Sequence, residues 1–252
     1  MVSGLFRYIE TLQGQEPWGS VLDAGVGVNS AEWMTALPTT TRWTAVTAAP
    51  GHARQVREAV DARLRLQDRL LVGNWMDPAL LEGEVHDVVL ADYLIGAVEG
   101  FSPYFQEDLL RRLKPMVGRR LYITGLDPYV VGEVPDAAAR CVREIGRLRD
   151  VCLLLADETP YREFPAEWVR DRLMEAGFRI LSAKRFPNRY RARWVDGQLD
   201  MAVRRLPKIA DRALAEALAG RIEALRAEGH GLAKSGDGLH VGFDYVIAAE
   251  PA

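Results

Sequence analysis

The chain has 252 residues, 48% hydrophobic and 27% charged, with 32 lysine and arginine against 35 aspartate and glutamate residues and a formal charge of −3. This is the balance of a soluble globular protein with one sizeable core, and it gives no bulk electrostatic drive toward nucleic acid or an anionic membrane. No apolar run approaches the ~20 residues that span a bilayer, and Met1 to Arg7 lack the charged start and apolar stretch of a signal peptide.

Strands and helices then alternate, the pattern of a parallel sheet covered on both faces. The first strand is Ser20 to Asp23, followed by a turn at Gly25 to Gly27 and a helix capped by Asn29, with Glu32 completing a capping box. Trp43 to Thr47 forms the second strand, and a helix follows through Val56, Val60 and Leu64. Arg69 to Gly73 is the third strand, and the unbroken apolar run Asp87 to Ala91 is a fourth, buried one. Ser102 and Pro103 start a helix through Leu113, and Arg120 to Thr124 is strand five. Asp136 opens a helix whose stripe Ala138, Cys141, Ile145, Leu148, Cys152 and Leu155 faces a core. Two cysteines eleven positions apart on one helix are about 16 Å apart, too far for a disulfide, so packing in a reducing compartment, the cytoplasm, is expected.

Pro165 begins another helix, stopped by Gly177, and strand six starts near Arg179. Between Lys184 and Trp194 the aromatic residues Tyr190 and Trp194 alternate with Arg189, Arg191 and Arg193, as in a strand with one basic face. Such a strand is a charge-protected edge, a phosphate-contacting surface or an arginine-lined pocket. An amphipathic helix over Pro207 to Glu228, a glycine-rich stretch over Gly229 to Gly242, and a last strand over Phe243 to Ala248 complete the chain. The chain is therefore expected to be one α/β domain, a doubly wound, mostly parallel seven-stranded sheet. Its core lies at about 18–125, 165–186 and 243–249; the stretches at about 125–165 and 190–240 are insertions above the carboxyl ends of the strands.

The most informative segment is Val21-Leu-Asp-Ala-Gly-Val-Gly-Val-Asn-Ser30. Gly25 and Gly27 stand where a backbone adopts positive φ or lies against a ligand. A dinucleotide fingerprint requires a third glycine at position 30, which is serine, and Asp23 would repel a pyrophosphate. A ligand with an amino group and a positive sulfonium suits that carboxylate better.

Asp23-Ala-Gly-Val-Gly27 resembles the first motif of the class I, Rossmann-like S-adenosylmethionine-dependent methyltransferases. The resemblance extends through His86 to Leu94, Leu113 to Leu121 and Glu175 to Ile180. It implies cofactor-binding roles for Asp23, Gly25, Gly27, Thr47, Asn74, Trp75 and Asp92. Thr47 and Asn74 occupy positions where the family usually has acids, and Trp75 is read equally as a core aromatic or a wall for the adenine.

The expected reaction is in-line transfer of the methyl group to an oxygen, nitrogen or carbon of a small molecule, so the protein's task is alignment and exclusion of water. Tyr93, Asp127, Tyr129 and His230 are the candidates for orienting the acceptor or moving its proton, and Tyr104, Tyr129, Tyr161, Trp168 and Tyr190 for lining its pocket. The four histidines show no metal-ligand spacing and read as surface residues, and no metal is expected. A base-methylating Asn-Pro-Pro-Tyr motif is absent at Asp92-Tyr93, which counts against a nucleic-acid acceptor. The alternatives are a nicotinamide-dependent oxidoreductase and a non-catalytic scaffold on the same fold. Oligomeric state has no signature in the sequence.

Overall fold

The computed structural model describes residues 3–234 and 238–252; the centre of the glycine-rich stretch, 235–237, lies outside the described residues. Seven strands form one sheet: β1 (Gly19–Asp23), β2 (Thr40–Thr47), β3 (Arg69–Val72), β4 (His86–Asp92), β5 (Val117–Leu126), β6 (Phe178–Tyr190) and β7 (Leu239–Pro251). Their order is β3-β2-β1-β4-β5-β7-β6, and β1 pairs in parallel with both β2 and β4, as do β2 with β3 and β4 with β5. The chain order reverses at β1, so the carboxyl ends of β1 and β4 flank the crevice where open sheets of this kind bind ligands. β4 is covered on both faces, which explains its unbroken apolar run: Val88, Val89, Leu90 and Ala91 are all buried.

Helices α1 (Gly4–Gln13), α2 (Val28–Met34), α3 (Pro50–Val60), α4 (Leu94–Ala97), α5 (Gln106–Leu113), α6 (Ala137–Leu154), α7 (Ala166–Glu175), α8 (Ala192–Val203) and α9 (Arg212–Lys234) complete the set. The helix α1 has no counterpart in the sequence reading. Ser3 caps it, Phe6 stacks on Trp33 of α2 at 4.4 Å, and Glu10 accepts the Trp33 indole N–H at 2.6 Å. Its apolar face thus braces the helix that follows the glycine turn.

The chain divides into two compact units: Met1–Leu126, Arg162–Arg185 and Tyr245–Ala252 form the first, Asp127–Tyr161 and Phe186–Asp244 the second. In the first, one core joins Leu22, Val89, Leu109, Leu121, Val169 and Ile247. In the second, α6, α8 and α9 pack on one another around Cys141, Ile145, Cys152, Val195, Leu199 and Ile222. Both cysteines are free and buried.

Four local expectations are corrected. The helix after the glycine turn starts at Val28 and is capped at Gly27, not at Asn29: the Ser30 hydroxyl accepts the Gly27 N–H at 3.0 Å and donates to the Gly27 carbonyl at 3.1 Å. The α5 helix begins at Gln106 rather than Ser102, because Tyr104 takes a left-handed conformation (φ +66°) and the Ser102 hydroxyl is spent on Asn74 Oδ1. The aromatic-basic alternation stops being a strand at Tyr190; Trp194 lies on α8 and folds back to stack on Tyr190 at 4.2 Å. The long amphipathic helix runs from Arg212 to Lys234, after a separate 3₁₀ turn at Leu206–Lys208.

One close approach sets the geometry at the end of β5. A Cβ on Gly125 would lie 2.2 Å from both Cζ and the hydroxyl of Tyr245, a buried ring whose phenol donates to the Phe164 carbonyl at 3.1 Å. Gly125→Ala is therefore expected to destabilise the protein by about 1–3 kcal/mol or more in urea denaturation. The penalty should shrink in a Tyr245→Ala background, where the ring is gone. Equal penalties in the two backgrounds would contradict this packing.

Candidate functional site

Five of the proposed cofactor residues, Asp23, Gly25, Gly27, Thr47 and Asp92, lie at the carboxyl ends of β1, β2 and β4. The turn after β1 is fixed by backbone bonds from Ala24 N–H to the Leu90 carbonyl (2.8 Å) and from Val26 N–H to the Val46 carbonyl (3.0 Å). Asp23 is fully buried, and neither of its carboxylate oxygens has a hydrogen-bond partner among the described residues. Desolvation pushes its pKa up to about 8; the nearby Ser30 hydroxyl and Gly25 amide, short of hydrogen-bond geometry, oppose the rise, and the charge of Asp92 adds to it.

The two glycines of the turn have different reasons to be glycine, and neither has positive φ. A Cβ on Gly25 would sit 3.0 Å from Cβ and Cδ1 of Leu94, so this position is constrained by the protein's own packing. At Gly27 the nearest atom would be the Ser30 hydroxyl at 4.0 Å, an ordinary contact. No packing in the described protein requires Gly27 to lack a side chain.

On β4, Asp92 is partly buried and accepts the Thr124 hydroxyl. Tyr93 follows in a left-handed conformation (φ +49°) that bulky residues rarely adopt, and starts the short α4 helix. Thr47 ends β2 almost buried, its hydroxyl accepting the Ala49 N–H at 3.3 Å.

Trp75 and Asn74 serve the scaffold beneath. The buried Trp75 indole donates to the Ala24 carbonyl at 2.7 Å, bracing the glycine turn from the core side. Asn74 Oδ1 accepts from the Met76 N–H (2.9 Å) and the Ser102 hydroxyl (2.6 Å), while Nδ2 donates to the Phe101 carbonyl (3.0 Å). Both acceptor sites of that oxygen are filled within the protein.

Asp127, Tyr129 and His230 belong to the second unit. The Asp127 N–H donates to the Phe243 carbonyl at 2.9 Å. The Tyr129 phenol accepts from the Arg149 guanidinium at 2.6 Å, and its ring lies 6.5 Å from Tyr190 and 6.1 Å from Trp194. His230 Nε2 is 2.9 Å from Asp196 Oδ1, an oxygen that also accepts from Arg226. Among the pocket-lining candidates, Tyr104 and Tyr161 are exposed, and Trp168 stacks on Phe164 at 4.1 Å. No group of acidic, histidine or cysteine side chains suited to a metal occurs among the described residues.

Two contributors went unnoticed in the sequence. Ser30 was visible only as a missing glycine, and Thr124 becomes relevant once β5 is known to lie beside β4. His86 is a further correction: it is fully buried rather than on the surface, with neither ring nitrogen hydrogen-bonded among the described residues, and burial followed by the charge of Arg42 pushes its pKa down to about 4.

The sequence matches no family model and no curated protein. Its structure is similar to a protein from Bacillus halodurans provisionally assigned as a methyltransferase, at 12% identity over 99% of each chain and a TM-score of 0.62. It is also similar to the [4+2]-cyclase SpnF, at 16% identity over 98% of this chain and 80% of that one (TM-score 0.60). A third similar structure is coclaurine N-methyltransferase bound to N-methylheliamine and S-adenosylhomocysteine, at 14% identity over 98% and 71% (TM-score 0.57). The fold is that of the class I, Rossmann-like methyltransferases. No helix among the described residues is long and apolar enough to cross a membrane.

The buried acid gives a measurable signature. Folded Asp23 keeps its proton to about pH 8, whereas the unfolded side chain loses it near its ordinary value of 3.8. Between those values the folded state binds more protons, so stability falls as pH rises, by at most about 1.4 kcal/mol per pH unit. His86 acts oppositely: unfolded it takes a proton below its ordinary value of 6.5, folded only below about 4, so its effect raises stability up to 6.5 and is flat beyond. The interval from about pH 6.5 to 8 therefore isolates Asp23. Across it the melting temperature of the free protein is expected to fall, and that of Asp23→Asn to stay level; parallel profiles would reject the assignment.

Proposed function

We propose that this protein is an S-adenosylmethionine-dependent methyltransferase acting on a small molecule. Asp23 carries the reading: a carboxyl group buried without a hydrogen-bond partner among the described residues, and close to the charge of a second acid, at the turn after β1. Leaving it so costs the free protein stability that a cationic, hydrogen-bonding ligand returns. A pyrophosphate brings no positive charge to Asp23 and would oppose its ionisation, which disfavours a nicotinamide cofactor. The shared fold with a methyltransferase holding S-adenosylhomocysteine supports the same reading.

Asp23, Gly25 and Gly27 would hold the cofactor, with Thr47 and Asp92 at the neighbouring strand ends. When bound, S-adenosylmethionine supplies a methyl group on a positively charged sulfur. Asp23 gives up its proton as it meets the cation, and the backbone at Gly27 provides an approach free of any side chain. Tyr93 presents a phenol to orient an acceptor, and a base is needed only for an acceptor that arrives protonated. The free, buried cysteines fit a cytoplasmic protein. The likeness to a [4+2]-cyclase favours a second reading, in which a ligand is held on this fold without methyl transfer. That reading gives no S-adenosylhomocysteine with any acceptor tested.

Calorimetry with S-adenosylmethionine tests the proposal. Gly27→Ala is expected to change stability by less than about 1 kcal/mol, yet to weaken binding at least about tenfold. At pH 7 binding to wild type should release a proton, seen as buffer-dependent heat that Asp23→Asn lacks. Absence of binding at about 1 mM ligand would sink the proposal.

A further inference from the structure

Thr124 ends the β5 segment paired with β4, directly beside Asp92. It is fully buried, and both capacities of its hydroxyl are committed. Oγ1–H donates to Asp92 Oδ1 at 2.5 Å, while Oγ1 accepts the Tyr93 N–H at 3.1 Å. That same N–H is shared with the Thr124 carbonyl, also at 3.1 Å. One side chain on a neighbouring strand thus holds the carboxylate at the end of β4 and the amide of the next residue.

The arrangement has chemical consequences. A hydrogen bond donated to a carboxylate favours its ionised form and fixes its rotamer. An amide held from the next strand keeps Tyr93 at φ +49°, where the chain leaves β4 for α4. A cross-strand threonine whose only duty was packing could be valine, which has the same shape and fits the sheet equally well. Asp92 in turn acts on Asp23 through its charge.

We propose that Thr124 is a positioning residue for ligand binding: its hydroxyl aims the Asp92 carboxyl and sets the turn at Tyr93. Its effect on cofactor affinity rests on the methyltransferase reading, whereas its effect on Asp92 does not. Asp92 meets Thr124, and its charge acts on Asp23, which the Ser30 hydroxyl and the Gly25 amide approach short of hydrogen-bond geometry.

The test is a double-mutant cycle on S-adenosylmethionine affinity, measured by calorimetry, together with the carboxyl titration of Asp92 followed by NMR in the free protein. Thr124→Val is expected to weaken binding about tenfold and to raise the Asp92 titration midpoint. Thr124→Ser, which keeps the hydroxyl, should stay within about threefold of wild type and leave that midpoint in place. In an Asp92→Asn background Thr124→Val should cost less than about twofold, because the residue acts through Asp92. An unmoved Asp92 midpoint in Thr124→Val, or an equal loss of affinity with and without Asp92, overturns the proposal. If wild type binds no S-adenosylmethionine, the methyltransferase reading fails and the Asp92 titration alone decides the role of Thr124. If Thr124→Val does not fold, Thr124→Ala and Thr124→Ser supply the same comparison.

Discussion

A carboxyl group taken out of water with nothing to bond is among the least comfortable features a core can hold. Asp23 is that feature here, and the surrounding elements read as the means of keeping it in place. Backbone bonds to Leu90 and Val46 tie the turn to strands on either side, and Trp75 supports Ala24 from within. The α1 helix adds a brace on α2 through Trp33. Raising the proton affinity of Asp23 rather than satisfying it leaves the group neutral until something positive arrives.

The neighbouring strand shows a different solution to a similar difficulty. Asp92 lies nearer solvent and takes a hydrogen bond from Thr124, the kind of contact that Asp23 lacks among the described residues. Two acids at the ends of adjacent strands cannot both ionise freely without a cation between or beside them. The same chemical group thus meets two environments within one crevice, a common preparation for binding a charged ligand.

Much of this was legible in the sequence, for identifiable reasons. The run from Asp87 to Ala91 could only be a strand covered on both faces, and Asp136, Pro165 and Gly177 marked helix limits through their own backbone chemistry. Asp23 before two glycines likewise named its turn without any tertiary information. Local signals misled where a tertiary partner claimed the group: Ser102 would cap a helix had Asn74 not taken its hydroxyl, and Trp194 would continue a strand had it not stacked on Tyr190. The role of Asn74 and Trp75 in the scaffold rests on contacts 27 and 51 positions away in the chain, which no periodicity encodes. Thr124 gains meaning only from strand order.

The seating of Tyr245 over Gly125 bears on the order in which the sheet can assemble. Strand β7 lies between β5 and β6 although it comes after both in the chain. During vectorial synthesis, β5 and β6 must wait with a gap between them until residues 239–251 emerge. Until then the recess above Gly125 is unfilled and the edge of β5 has no neighbour on that side, a template for wrong pairing. Closure of the sheet is thus a late, long-range event, and the ribosome-bound chain carries its exposed edge from the emergence of β5 until that of β7.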